Sequence, residues 1–94
     1  MASIVVLTWE LSIPGCRSLK EKRMAVRSLR DRLQHRFKLS VAETDHQDVY
    51  DRAQLTAAVV ASDGRLAESL VDRIDGFVSE DARLVILSFR RERV

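Results

Sequence analysis

Lys20, Arg23, Arg27 and Arg30 recur at intervals of three and four residues, and Lys38 follows about two helical turns later. On a helix this spacing puts the five cations on one flank, a rigid surface that attracts phosphates and other polyanions. Between Arg17 and Lys38 stand nine of the 16 Lys and Arg residues, against two acids, Glu21 and Asp31. The segment therefore carries +7 and the remainder −5, a polarity hidden behind a formal net charge of +2. Lys and Arg in a rigid row release condensed counterions when they meet a nucleic-acid backbone. The competing reading is a solvated face that keeps a small domain soluble.

A second group of chemically able residues is Asp45-His46-Gln47-Asp48. Carboxylate and imidazole are ordinary metal ligands and acid–base groups. One histidine with flanking acids falls short of a ligand set, however, and His35 faces outward on the helix without completing a pair. Ion-pair networks imitate functional clusters, so Arg17, Lys22, Asp45, His46 and Asp48 are expected to form a structural ion-pair and turn cluster, with the acids also reaching Lys20. No metal, cofactor or catalytic residue is expected. Cys16 precedes a helix start beside Arg17 but has no positioned histidine or oxyanion hole, so it reads as a small loop residue. Walker loops, dinucleotide fingerprints and zinc spacings are absent. With only Trp9, Phe37, Tyr50, Phe77 and Phe89 as aromatics, a platform for stacking single-stranded bases is not evident. That favours recognition of folded RNA by shape and phosphate.

These residues need elements to hold them. From Ile4 to Ile13 the chain alternates, with Val5, Leu7, Trp9, Leu11 and Ile13 on one face: a half-buried strand ended by Pro14-Gly15. Ser18 opens a helix with Glu21 three residues on, as in a capping box. Its apolar stripe is Leu19, Val26, Leu29, Leu33 and Phe37. Lys22 falls inside that stripe and must snorkel past the sheet end or find a carboxylate. Strands are expected over 39–44, 53–62 and 83–91. A second helix starts at Ser62-Asp63-Gly64 and faces inward with Leu66, Leu70, Val71, Ile74, Phe77 and Val78.

The order βαββαβ over residues 1–94 predicts a single α+β domain, a ferredoxin-like sandwich with a four-stranded antiparallel sheet and two helices on one face. The bare sheet face is expected to carry Ile4, Val6, Val60, Val85, Leu87 and Phe89, or their neighbours if the register is inverted. Either choice implies a homodimer or other partner. The lone Cys16 allows no internal disulfide and suits a reducing cytoplasm. No stretch approaches the ~20 apolar residues of a membrane span.

Two separated blocks, Ser18-Leu19-Lys20-Glu21-Lys22-Arg23 before a basic helix and Val41-Ala42-Glu43-Thr44-Asp45-His46-Gln47-Asp48, resemble the small bacterial YlxP-like family. The resemblance covers essentially the whole chain, including the strand ending Ile13-Pro14-Gly15. It implies a ferredoxin-like fold, a cytoplasmic bacterial protein, and genes often found among those for translation initiation and ribosome maturation. The family has no established enzymatic activity or catalytic residues to carry over. The expected function is thus a non-catalytic RNA-associated factor, with RNA or a ribosomal particle as partner, gripped by Lys20, Arg23, Arg27, Arg30 and Lys38. The alternative is a homo-oligomeric protein-interaction or regulatory module. An enzyme using Cys16 or His46 ranks below both.

Overall fold

In the computed structural model, which describes residues 1–94, six elements follow in the order β1 (Ser3–Ser12), α1 (Leu19–Phe37), β2 (Ser40–Asp45), β3 (Arg52–Ala61), α2 (Gly64–Ser79) and β4 (Val85–Arg93). The strands form one antiparallel sheet in the order β2-β3-β1-β4, leaving β2 and β4 as edges. This is the ferredoxin-like α+β topology.

Local signals explain where each helix begins. The Ser18 hydroxyl accepts the Glu21 N–H at 3.1 Å, meeting an orphan donor of the first turn, and the Glu21 carboxylate reaches back to the Arg17 N–H at 2.8 Å, tying the entering chain to α1. Asp63 does the same for α2, accepting the Leu66 N–H at 2.8 Å. Gly15 turns the chain between β1 and α1 at φ 78°, a conformation that costs a residue with a Cβ.

Both helices pack on one sheet face. Val5, Leu7, Trp9, Leu11 and Ile13 meet Val26, Leu29 and Leu33 of α1 and Ala67, Val71, Ile74 and Val78 of α2 in one core. In β3 the inward residues Ala53, Leu55, Ala57, Val59 and Ala61 are mostly small, which lets the helices approach closely. Trp9 is fully buried, and its indole N–H donates to Asp75 Oδ1 of α2 at 3.1 Å. The α2–β4 turn is fixed by Asp81, whose carboxylate accepts from Arg32 of α1 at 2.6 Å and from Arg83 at 3.0 Å. Burial pushes this carboxyl up, but hydrogen bonds from the Arg83 side chain, the Arg83 N–H and Arg32 prevail and hold its pKa down at about 2. The same contact raises the pKa of Arg83.

Two β-bulges alter what alternation alone predicts. Glu10 pairs with Ser88 but the adjacent Leu11 pairs with Ile86, so Leu87 is an extra residue in β4. Beyond it the pleat is inverted. Phe89 therefore turns toward the helices and stacks on Trp9 with ring centroids 5.2 Å apart, instead of lying on the bare face as expected. Thr44 is the extra residue in β2, between the pairs Glu43–Leu55 and Asp45–Gln54. Leu66 also departs from expectation: it is 45% exposed, because the inward stripe of α2 starts at Ala67.

The bare face is less apolar than predicted. Ile4 and Val60 form an exposed patch at one end, Val85 and Leu87 another at the far end. Between them lie Thr8, Thr56 and a hydrogen-bonded group centred on Glu10.

Candidate nucleic-acid interface

Helix α1 is held in its rotation by the residue that looked out of place. Lys22 is fully buried, and its Nζ donates to the carbonyls of His46 (2.6 Å), Gln47 (3.3 Å) and Arg52 (3.2 Å). An ammonium has three protons, so these bonds exhaust its donors. Glu43 Oε2 lies 2.9 Å away and supplies the counter-charge without a hydrogen bond of its own. Burying an ammonium is costly unless it is both paired and hydrogen-bonded, and here it is both. The β2–β3 connection is thereby clasped onto the first turns of α1, and the helix cannot roll without breaking the clasp.

With Lys22 turned inward, Lys20, Arg23, Arg27 and Arg30 lie along the flank of α1 that overhangs β2. Arg23, Arg27 and Arg30 border a cleft of about 110 Å³ with Val26 and Glu43. Lys20, Arg23, Met24 and Arg27 border an adjoining one of about 280 Å³. From Arg23 to Arg30 the row spans about 10 Å of helix axis.

Ion pairs take up several arginines away from this flank. Asp81 takes up Arg32 and Arg83, Glu68 and Asp72 take up Arg91, and Glu68 also lies 3.6 Å from Arg93. Lys20, Arg23 and Arg27 are exposed and have no carboxylate within ion-pair distance, and Arg30 has only Asp31 at 3.8 Å. Lys38 stands at the other end of the helix, also exposed and unpaired. It caps α1 in the left-handed region at φ 51°, its N–H bonded to the Gln34 carbonyl. A lysine there places its charge among the free carbonyls of the helix C-terminus, where a cation is favoured.

The Asp45–Asp48 segment is organised differently from the expected ion-pair cluster. Lys22 binds its backbone carbonyls, and Asp45 Oδ1 accepts the N–H of His46 at 2.7 Å, with His46 at φ 65°. Arg17 contributes only its backbone N–H to Glu21. Asp48 forms no side-chain hydrogen bond or ion pair, and Lys20 reaches none of these acids. His46 instead turns away from α1, across the bare sheet face toward Glu10.

There His46 Nε2 lies 3.0 Å from Glu10 Oε2, while Gln54 Nε2 donates to Glu10 Oε1 at 2.6 Å. Thr44 Oγ1 donates to Gln54 Oε1 and, its one proton thus used, accepts from the Thr56 hydroxyl, both at 2.7 Å. Glu10, Thr44 and Gln54 are members of this group that spacing along the chain did not signal. The only hint was an acid, Glu10, in mid-strand. No three His, Cys, Asp or Glu side chains converge as metal ligands would. The Cys16 thiol is half-buried and donates to the Ser18 carbonyl at 3.4 Å.

The other flank of α1 assembles what the aromatic count did not suggest. Phe37 and Phe77 meet edge-to-face with centroids 5.7 Å apart, and Arg36 lies over both rings at 5.8 Å. Arg32 lies over Phe77 and Arg73 over Phe37, each at 5.7 Å.

No helix is long and apolar enough to cross a membrane. The chain is similar to the uncharacterised protein YlxP of Bacillus subtilis (strain 168), with 33% identity over 61 residues, which is 65% of this chain and 66% of the Bacillus protein. Residues 4–91 match the family model described as a protein of unknown function, DUF503. That match takes in all of α1, the Lys22 clasp and nearly all of the sheet, and the chain accordingly belongs to the DUF503 family.

Proposed function

We propose that this protein is a non-catalytic, cytoplasmic RNA-associated factor acting in ribosome maturation or translation, and that it grips RNA phosphates along α1 with Lys20, Arg23, Arg27, Arg30 and Lys38. The observation that carries this reading is the uncompensated row. Lys20, Arg23 and Arg27 follow one another along one flank of α1, exposed and with no carboxylate within ion-pair distance, and Arg30 has only Asp31 at 3.8 Å. Their helix is also clasped to the sheet by Lys22, so little ordering entropy is lost when the row meets a backbone.

Charge reversal tests it. A variant carrying Arg23→Glu, Arg27→Glu and Arg30→Glu changes surface positions only and keeps the fold. Its RNA affinity falls, and removing each single contact shrinks the slope of log affinity against log salt by ~0.7–0.9. Sequence preference changes little, because phosphate contacts position a protein without reading bases. Sedimentation with ribosomal particles at low and high salt tests the setting. A triple variant that folds normally and binds RNA like the unaltered protein refutes the reading.

A second reading, a homodimer or other protein-interaction module formed through the bare sheet face, draws support from exposed Ile4, Val60, Val85 and Leu87. The polar group between the two apolar patches works against it.

A further inference from the structure

On the α2 side of α1, remote from the phosphate-facing flank, three guanidinium groups surround the Phe37–Phe77 pair, Arg73 5.7 Å from the centre of Phe37, Arg32 5.7 Å from that of Phe77 and Arg36 5.8 Å from both. Two clefts open on this assembly and share Arg36 and Phe77. One, of about 270 Å³, is also bordered by Arg73 and Glu80. The other is about 390 Å³. These volumes lie near the lower end of the ~300–1,000 Å³ that small-ligand sites span.

We infer that this groove between α1 and α2 is a stacking site for an unpaired nucleobase of the same RNA. The inference rests on the RNA-binding reading and adds a second, chemically different contact to it. Guanidinium groups held 5.7–5.8 Å from the ring centroids gather planar cations and aromatic rings at one place, and Arg planes and aromatic rings are the surfaces on which splayed-out bases stack. Arg36 and Arg73 are exposed and bound to no carboxylate, so both guanidinium groups are open to solvent.

The charge balance of the groove favours a base over an acidic peptide. Arg32 is already held by Asp81 at 2.6 Å, and Glu80 and Asp31 stand on the rims. A carboxylate set between those rims meets repulsion there, whereas a neutral base does not, provided its phosphate stays outside the groove. The rim carboxylates also accept hydrogen bonds, which suits adenine, cytosine and guanine, with their exocyclic amino groups, better than uracil.

The test compares three RNAs: a blunt duplex, the same duplex with a short single-stranded adenosine tail, and that duplex with an abasic tail of equal length. The abasic tail keeps every phosphate and removes only the bases. The tail is expected to tighten binding about tenfold, the lower part of the range for base stacking, and the abasic tail to give no such gain. Arg36→Gln and Phe77→Leu should each abolish the gain while leaving blunt-duplex affinity in place. Because Arg36 is exposed, its variant stays informative even if Phe77→Leu folds poorly.

Equal gain from the abasic tail, or full gain in Arg36→Gln, overturns the stacking site and leaves the phosphate grip standing. Failure to bind the blunt duplex overturns the phosphate grip itself, and this inference with it. Binding of a poly-glutamate peptide that is lost in Arg36→Gln, with no effect of the tail, assigns the groove to a protein partner instead.

Discussion

Replacing Lys22 with methionine probes the clasp that orients the proposed interface. The substitution keeps the aliphatic stem and removes the ammonium. It strips a partner from three carbonyls, those of His46, Gln47 and Arg52, and leaves Glu43 with a carboxylate oxygen that no group neutralises. Three charge-assisted hydrogen bonds at about 1.5–3 kcal/mol each give a gross figure of roughly 5–9 kcal/mol. The desolvation of the buried ammonium, several kcal/mol, offsets part of that, for a net loss of about 3–5 kcal/mol. A domain of this size has roughly 5–14 kcal/mol in all, so the variant should sit near the edge of folding. Trp9 is the only tryptophan and is fully buried, so its fluorescence follows the urea transition directly. With a slope of about 1.5 kcal/mol per molar urea, the midpoint should drop by about 2–3 M. Adding Glu43→Leu removes the stranded carboxylate and should return about 1–2 kcal/mol, while the three carbonyls remain unserved. A Lys22→Met protein whose midpoint stays within about 0.5 M of the parent would refute the reasoning, because the clasp would then contribute no more than an average surface contact.

Asp81→Asn should cost about 2 kcal/mol at neutral pH, since its pKa falls from 3.8 to about 2 on folding and each unit corresponds to 1.36 kcal/mol. The sign follows from the lowered pKa: this stabilisation is complete above pH 3.8 and disappears as pH falls through about 2, so denaturation curves across that window should be flatter for the variant than for the parent. Val60→Glu tests the sheet face: Val60 is 67% exposed in the monomer, so the change leaves folding intact, and light scattering at high protein concentration should show dissociation only if that face mediates self-association. Phe89→Glu should unfold the domain, because it drives a charge against Trp9 on the helix side of the sheet, and circular dichroism will report the loss.

The parts of this structure that were legible in the sequence are those written in local chemistry. The alternation of β1, the Ser18–Glu21 pair and the Asp63 cap each concern residues within one element or one turn. Lys22 announced a need, a charge inside an apolar stripe, but its carbonyl partners lie 24 to 30 residues away and only the β2–β3 connection brings them near. Bulges defeat pattern reading more completely. One extra residue at Leu87 inverts the pleat of the rest of β4, and period-two reasoning carried across it places Phe89 on the wrong face. The second extra residue, Thr44, belongs to the polar group of Glu10, Gln54 and His46, which draws on three strands and the connection after β2. The Phe37–Phe77 assembly was hidden for a related reason: helix periodicity marks both residues as inward, and only the packing of α1 against α2 leaves them at a groove with arginines above them.

The two bulged strands are also the two edges of the sheet, and this governs how the chain behaves in a crowded mixture of its own copies. An unpaired strand edge is a template for adding foreign strands and for fibre growth. Strand β2 offers a poor one, being six residues long, broken by Thr44, and bracketed by the left-handed residues Lys38 and His46 that turn the backbone out of line at both ends. Strand β4 is longer, but Leu87 kinks it and its second half, Arg90 to Arg93, is entirely charged, which disfavours a strand docking there. Both edges therefore disfavour edge-to-edge pairing of copies.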